Sequence, residues 1–380
     1  MKTVSSLVII YFLGATKSFA APTGSADLNF ESNVATGHRL IQTSNGQSPF
    51  WVTEDEKLNL LKKGADFFDL TETYHREQLV KSTSAQAKLK ITYPAPSHQA
   101  EIKALLPSLS ITNMESYLSN LTSFQNRYYK SEHGLAASNY IYDTLSRFSQ
   151  GKAGVSVTKV SHSFVQQSII AQITGTSNES SIVILGAHED SILPEERMTG
   201  RAPGADDNGT GVMNVIEVFR VLVESGFKPT RTVEFHLYAG EEEGLFGSQD
   251  IALNYKSAGR GVYGMLNLDM TGYFKPGTNE SIALVTDYTD LGLTKYVEKL
   301  ISTYSRIPAS TYLTMRAGTG MASLLPVPLK LQMGIQTRIF IPRKIQPLLM
   351  VSHSSILWNL PSSLWRSYMN WVFESSPGAF

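Results

Sequence analysis

Ile182-Val183-Ile184-Leu185 runs into Gly186-Ala187-His188-Glu189-Asp190-Ser191, an apolar strand whose far end presents an imidazole and two carboxylates. A short apolar run bounded by Gly reads as a strand covered on both faces. The pattern recurs downstream. Thr232 to Tyr238 ends in Ala239-Gly240-Glu241-Glu242-Glu243-Gly244, and Val262 to Leu268 ends in Asp269-Met270-Thr271-Gly272. Between the first two lies a Gly/Pro-rich loop, Arg201-Ala202-Pro203-Gly204-Ala205-Asp206-Asp207-Asn208-Gly209. Gly211 to Leu222 is apolar nearly all round, which predicts a well-buried helix. Val155 to Val160 and Ser168 to Thr174 read as strands. Met114 to Tyr129 and Gly134 to Phe148 read as amphipathic helices, the second with Ala137, Ile141, Tyr142, Leu145 and Phe148 at three- and four-residue spacing. Strands alternating with helices predict an α/β fold, with a largely parallel sheet covered on both faces. In such sheets ligands gather at the carboxyl ends of strands, where the acids fall.

A cation that activates water needs several oxygen or nitrogen ligands, one open position and a nearby base. His188 offers an imidazole at a strand end, and Asp190 is spaced to hold that ring through its second nitrogen. Asp206 follows Pro203-Gly204-Ala205, where backbone can approach a metal closely, and a short Asp there could bridge two ions. Glu241 and Glu242 point in different directions, so one can bind metal while its neighbour stays free as a base. Asp269 closes the set. Singly, each has a bland reading: a structural His, a solvated Glu pair, a turn. Together, at three successive strand ends, they point to a metal site of hard ligands. His236 sits within a strand and reads as packed.

The chain has 380 residues with zero formal net charge, so nothing favours nucleic acid or an anionic membrane surface. Met1-Lys2, the apolar run Leu7 to Ala15 and Ser18-Phe19-Ala20 fit a secretory signal over residues 1–20. No apolar run is long enough for a membrane span. Without cysteine, no disulfide can form along an oxidising route. Sequons at Asn120, Asn178 and Asn279 are glycosylation candidates, whereas that at Asn208 lies inside the proposed metal loop. Residues 21 to about 50 read as a poorly ordered leader. Trp51 to Asp69 reads as helical, with a capping-box start at Thr53/Glu56. Signal, helical module and polar linker together resemble a zymogen, with residues 21–85 as propeptide. A mature N-terminal extension reads nearly as well.

The strand-end motifs at His188, Asp206, Glu241 and Asp269, four in order, resemble those of the M28 family of co-catalytic zinc aminopeptidases, and within it secreted fungal leucine aminopeptidases. The resemblance runs from about Trp51 to Ala317. It implies a single domain with a mixed, mostly parallel sheet between helices, taken here as residues 86–317. It also implies two zinc ions. His188, Asp206, Glu242 and Asp269 would be the ligands, with Asp206 bridging, Glu241 the general base and Asp190 the partner of His188. A cis peptide would join Asp206 to Asp207. The implied substrates are peptides with free N-termini, met by a monomer with a leucine-like preference.

The family's fifth ligand, a His in a Ser-Asp-His motif, is absent. Residues 318–380 hold one acid, Glu374, but six of the sixteen prolines and three of the four tryptophans. This aberrant tail reads as a frame-shifted or mis-spliced C-terminus. His353 standing in for the lost ligand and a metal-deficient relative are the other readings. Two functional alternatives remain beside the aminopeptidase: a non-catalytic peptide binder on the same scaffold, and another hydrolase such as a carboxypeptidase.

Overall fold

The computed structural model describes residues 29–43, 48–65, 67–83, 93–178, 181–273, 281–286, 289–312 and 336–339. In chain order the N-terminal part gives α1 (Phe30–Ala35), β1 (His38–Gln42), β2 (Phe50–Thr53), α2 (Glu54–Lys62), β3 (Phe68–Asp69) and α3 (Tyr74–Thr83). There follow α4 (Gln99–Leu105), α5 (Ile111–Ser123), α6 (Glu132–Ser149), β4 (Val155–Val160), β5 (Ser168–Ile173) and β6 (Ile182–His188). Then come α7 (Gly211–Glu224), β7 (Val233–Tyr238), α8 (Phe246–Ser257), β8 (Val262–Leu268), β9 (Ile282–Val285), α9 (Leu291–Tyr304), β10 (Ala309–Tyr312) and β11 (Gln336–Ile339).

Eight of the described strands form one sheet in the order β10-β9-β11-β8-β6-β7-β5-β4. Its centre, β8-β6-β7, is parallel, while β7-β5 and β5-β4 are antiparallel. The sheet is therefore mixed. Every residue of β6 is buried, because alternate side chains enter two different cores. Val183, Leu185 and Ala187 pack with Val212, Val215 and Phe219 of α7 on one face. Ile182 and Ile184 meet Ile251 and Tyr255 of α8 on the other. Helices on both faces place the ends of β6, β7 and β8 side by side at one rim. β11, from the segment after residue 318, pairs parallel with β8. His353 and Glu374 lie outside the described residues.

Three local expectations need correction. The described residues 29–43 and 48–50 are not a poorly ordered leader: they form α1, β1 and the start of β2, and the two strands belong to a second sheet, ordered β2-β1-β3. The expected helix over residues 51–69 is a strand, a helix and a strand. Its capping box at Thr53 and Glu56 is present, but it starts α2 after β2 has ended. Finally, α5 stops at Ser123 instead of running to Tyr129, since Phe124 turns extended (φ −61°, ψ 145°). Beyond it, Gln125, Asn126, Arg127 and Ser131 find partners outside a helix.

The N-terminal module docks on the stretch that follows β7. Leu245 packs among Phe30, Leu40, Phe68, Leu70 and Tyr74. The buried ammonium of Lys57 lies 2.8 Å from Asp69 and 3.7 Å from Glu243. Gly244 is necessary there, because a Cβ on it would fall 2.6 Å from Cβ of Asp69.

Candidate metal centre

Parallel strands β6, β7 and β8 end at one rim, and the segments leaving them carry the titratable groups. His188 is the last residue of β6 and is buried. Its Nε2 lies 3.0 Å from Asp207 Oδ1, 3.6 Å from Asp269 Oδ1 and 4.0 Å from Glu241 Oε2. One ligand atom from each of His188, Asp207 and Asp269 falls within 4.8 Å of the others. Burial alone would lower the imidazole pKa. Glu241 and Asp269, aided by Asp190 and Asp207, outweigh it and raise the pKa well above the usual value. So dense a set of carboxylates around one nitrogen is a site that calls for positive charge. An imidazole with two carboxylates at this spacing fits a divalent cation such as zinc.

Asp207, not Asp206, faces the imidazole. Asp207 leaves helical geometry (φ −102°, ψ 96°), which throws the two neighbouring side chains in different directions. Asp206 Oδ1 instead accepts from the Gly272 N–H at 2.8 Å and from the Thr210 hydroxyl at 3.1 Å. Burial pushes its pKa up to about 6 against those two bonds. The cis peptide expected between Asp206 and Asp207 joins Asp207 to Asn208. Asn208 is buried: its amide donates to Leu268 O at 2.8 Å, and its Oδ1 accepts from Gly211 N at 3.0 Å. It thereby ties the loop to the end of β8 and takes up the amide of the first residue of α7.

The Glu241–Glu242 turn hangs on Asp190. Asp190 Oδ1 accepts from Glu241 N at 2.9 Å and Oδ2 from Glu242 N at 3.0 Å. The expected contact to His188 exists as well, with Nδ1 3.3 Å from Asp190 Oδ1. That contact is an ion-pair approach rather than an aligned hydrogen bond, since Nδ1 has no hydrogen-bond partner. Asp190 is thus first a holder of the Glu-Glu turn. Ser168 Oγ and Gln166 Oε1 take the preceding amides of Ala239 and Gly240, so four successive N–H groups are fixed.

Two supports escaped the sequence reading. Glu243, third in the acidic run, is buried and bonded to Arg197 at 2.9 Å. The other support is the bracket over residues 122–127, inside the stretch whose spacing predicts a helix to Tyr129. Asn126 donates to the carbonyls of Met198 and Gly200, and Arg201 donates back to those of Thr122 and Phe124. Arg127 lies beneath the loop. Asn126 and Arg127 fall inside that predicted helix, and the apolar spacing of Leu121, Phe124 and Tyr128 runs past them. Asn120 and Asn178 are exposed, and Asn279 lies outside the described residues. His236 is packed as expected, bonded to Glu234 at 2.9 Å and to the Tyr238 hydroxyl at 3.0 Å.

The family model described as Peptidase family M28 matches residues 168–323. "Leucine aminopeptidase 1" of Arthroderma otae is 43% identical over 282 residues, covering 71% of this chain and 74% of that protein. Among solved structures, LapB from Legionella pneumophila superposes with a TM-score of 0.71 at 21% identity, covering 91% of this chain and 97% of the other. The LapA aminopeptidase of the same organism gives 0.69 at 21% identity, with coverage of 91% and 96%. At that identity the two structures speak for the fold alone. Among the described residues, no helix is long and apolar enough to cross a membrane.

Proposed function

This chain belongs to peptidase family M28, and we propose that it is a secreted zinc aminopeptidase that removes N-terminal residues, leucine-like ones preferentially, from peptides. The observation that carries the proposal is the convergence of His188, Asp207 and Asp269 at one rim, with Glu241 4.0 Å from the same imidazole nitrogen. His188, Asp207 and Asp269 would hold one ion. Asp207, in place of Asp206, would bridge to a second beside Glu242. Zinc in such a site acts as a Lewis acid and supplies a water of lowered pKa.

The remaining chemistry falls to the protein's own groups. Glu241, whose side chain keeps 20% of its exposure, takes the proton of the attacking water and passes it to the leaving amine. Asp190 holds Glu241 and Glu242 by their amides, so the base keeps its place. The acidic rim attracts the substrate's free α-ammonium group, which favours exopeptidase over endopeptidase action.

The absent Ser-Asp-His motif supports a second reading, a catalytically impaired peptide binder. The second ion position then has only Asp207 and Glu242, fewer than the usual four donors. Zinc content and hydrolysis of the purified chain separate the two. The aminopeptidase cleaves a free-amine leucyl peptide but not its N-acetylated form, loses activity to a chelator and regains it with zinc. Peptide binding without turnover leaves the second reading. Cleavage of the acetylated peptide at its C-terminus would replace both with a carboxypeptidase.

A further inference from the structure

Arg127 is wholly buried, and no catalytic step described above uses it. Its guanidinium lies under the loop that leads to Asp207. Nε donates to Glu189 O at 2.7 Å, Nη1 to Pro203 O at 2.5 Å and to Leu121 O at 3.4 Å, and Nη2 to Gly204 O at 2.9 Å. All four acceptors are backbone carbonyls. A buried cation is ordinarily paired with a carboxylate, so here a full charge is left to act at longer range. Burial lowers its pKa to about 10, while Asp190, Asp207, Glu242 and Glu189 pull the other way. It therefore stays protonated at neutral pH.

The surroundings are shaped to admit this group. Gly204 has φ +50°, and a Cβ there would stand 2.7 Å from Nη2 of Arg127. The backbone N–H of Arg127 donates to Ser191 Oγ at 3.1 Å, and that hydroxyl donates to Ala202 O at 2.7 Å. Guanidinium and backbone together span the residue after His188 and the two residues that open the Asp207 loop. A planar fork with five donors can satisfy several carbonyls at fixed angles, and an ammonium cannot.

We propose that Arg127 is a positioning residue of the metal centre: its guanidinium locks the strand end bearing His188 to the loop bearing Asp207, and its charge lets their carboxylates gather before an ion arrives. The proposal rests on the zinc-peptidase reading. The test uses the full chain with Arg127→Met, which removes fork and charge, and Arg127→Lys, which keeps charge without the fork. Zinc affinity is measured by competition with a chromophoric chelator, and thermal midpoints are recorded with and without zinc. Arg127→Met weakens zinc binding by about 10–100-fold, the range for groups that orient ligands, and Arg127→Lys falls between it and the native chain. The zinc-induced rise in midpoint shrinks in the same order.

A merely structural role would lower the zinc-free midpoint and leave affinity alone. Affinity within about twofold of native in either folded variant, far short of such orienting effects, overturns the proposal. If neither variant folds, Arg127 is a folding determinant and the assignment also fails. If the unaltered chain binds no zinc, it is the underlying metal reading that has failed.

Discussion

The loop from Ala202 to Thr210 and the turn from Ala239 to Leu245 are built alike and held differently. Each follows a buried strand system, carries adjacent carboxylates and rests on a buried cation. Under the loop, Arg127 bonds to the backbone carbonyls of Glu189, Pro203 and Gly204. Under the turn, Lys57 reaches in from the N-terminal module and meets carboxylates, Asp69 and Glu243. The loop is therefore fixed by backbone geometry, which no change of protonation among its acceptors can loosen. The turn is fixed partly by charge, and by a segment remote in sequence. One metal-facing half of the site is self-contained, whereas the half bearing the base is coupled to residues 38–83.

The largest effect belongs to the turn. Glu241→Gln should lower kcat by about 10²–10⁴-fold, the usual contribution of a positioned base, with zinc content unchanged. Steady-state kinetics beside metal analysis checks it. Native turnover would take the base away from Glu241 and leave the turn with a structural task only.

The cation beneath the turn is next. Lys57→Met takes the ammonium from between Asp69 and Glu243, while Arg39 and Arg197 still pair with them at 2.7 and 2.9 Å. The loss should therefore stay below about 3–5 kcal/mol, the cost of a buried charge left with no partner. Urea unfolding of the full chain measures it, and hydrogen exchange across β1 and β3 shows whether the loss sits in the module. A change under about 1 kcal/mol, the scale of surface pairs, would make the turn as self-contained as the loop. The same pair sets a pH limit. Burial would raise the Asp69 pKa, but Lys57 and Arg39 outweigh it and hold the carboxyl below its usual range. A depressed folded pKa contributes stability above the unfolded value, about 3.9, and loses it as pH falls through the folded value. Docking of the module should thus survive at pH 5 and fail only in stronger acid.

For the loop, the sharp comparison is between neighbours. Asp207→Asn should weaken zinc binding by at least the roughly 10–100-fold that even outer partners of ligands cost, while Asp206→Asn leaves zinc bound. Asp206 Oδ1 only accepts from Gly272 and Thr210, and an amide oxygen can accept too. The reverse ranking would return the bridging position to Asp206.

That pair also marks where the sequence ceases to be informative. β4 and β8 occupy the predicted residues, β4 through an alternation that leaves Val155 and Val157 partly buried beside exposed Ser156 and Thr158. β6, β7 and α7 differ by a few, because fully buried strands and an all-round apolar helix leave little choice. His188, Glu241 and Asp269 follow, since a strand end is a fixed address. Asp206 and Asp207 are chemically identical neighbours, and only the backbone turn at Asp207 separates them. The end of α5 was invisible for another reason. Apolar spacing persists through Leu121, Phe124 and Tyr128, while the partners that draw Gln125, Asn126 and Arg127 out of the helix lie 62 to 77 residues away. The N-terminal strands span only two to five residues, too few for a period to declare itself.

The smallest effect tests the one signal in that module that was legible. Thr53 Oγ1 accepts from Glu56 N at 3.2 Å, and Glu56 Oε2 accepts from Thr53 N at 2.8 Å, closing the box at the start of α2. Three residues further into this helix lies the buried Lys57 contact with the turn. Thr53→Ala removes a capping acceptor, at a cost of about 0.5–2 kcal/mol. Because Lys57 sits in the first turn of α2, fraying should reach the ammonium as well, and the loss should lean to the upper end of that range. Combined with Lys57→Met, the two losses should then sum to less than their separate values, since contacting sites couple by about 0.5–3 kcal/mol. A double-mutant cycle in urea measures the shortfall. Strict additivity would mean that the cap stabilises α2 without steadying the cation, and that the turn is held by Lys57 whatever happens to the helix end before it.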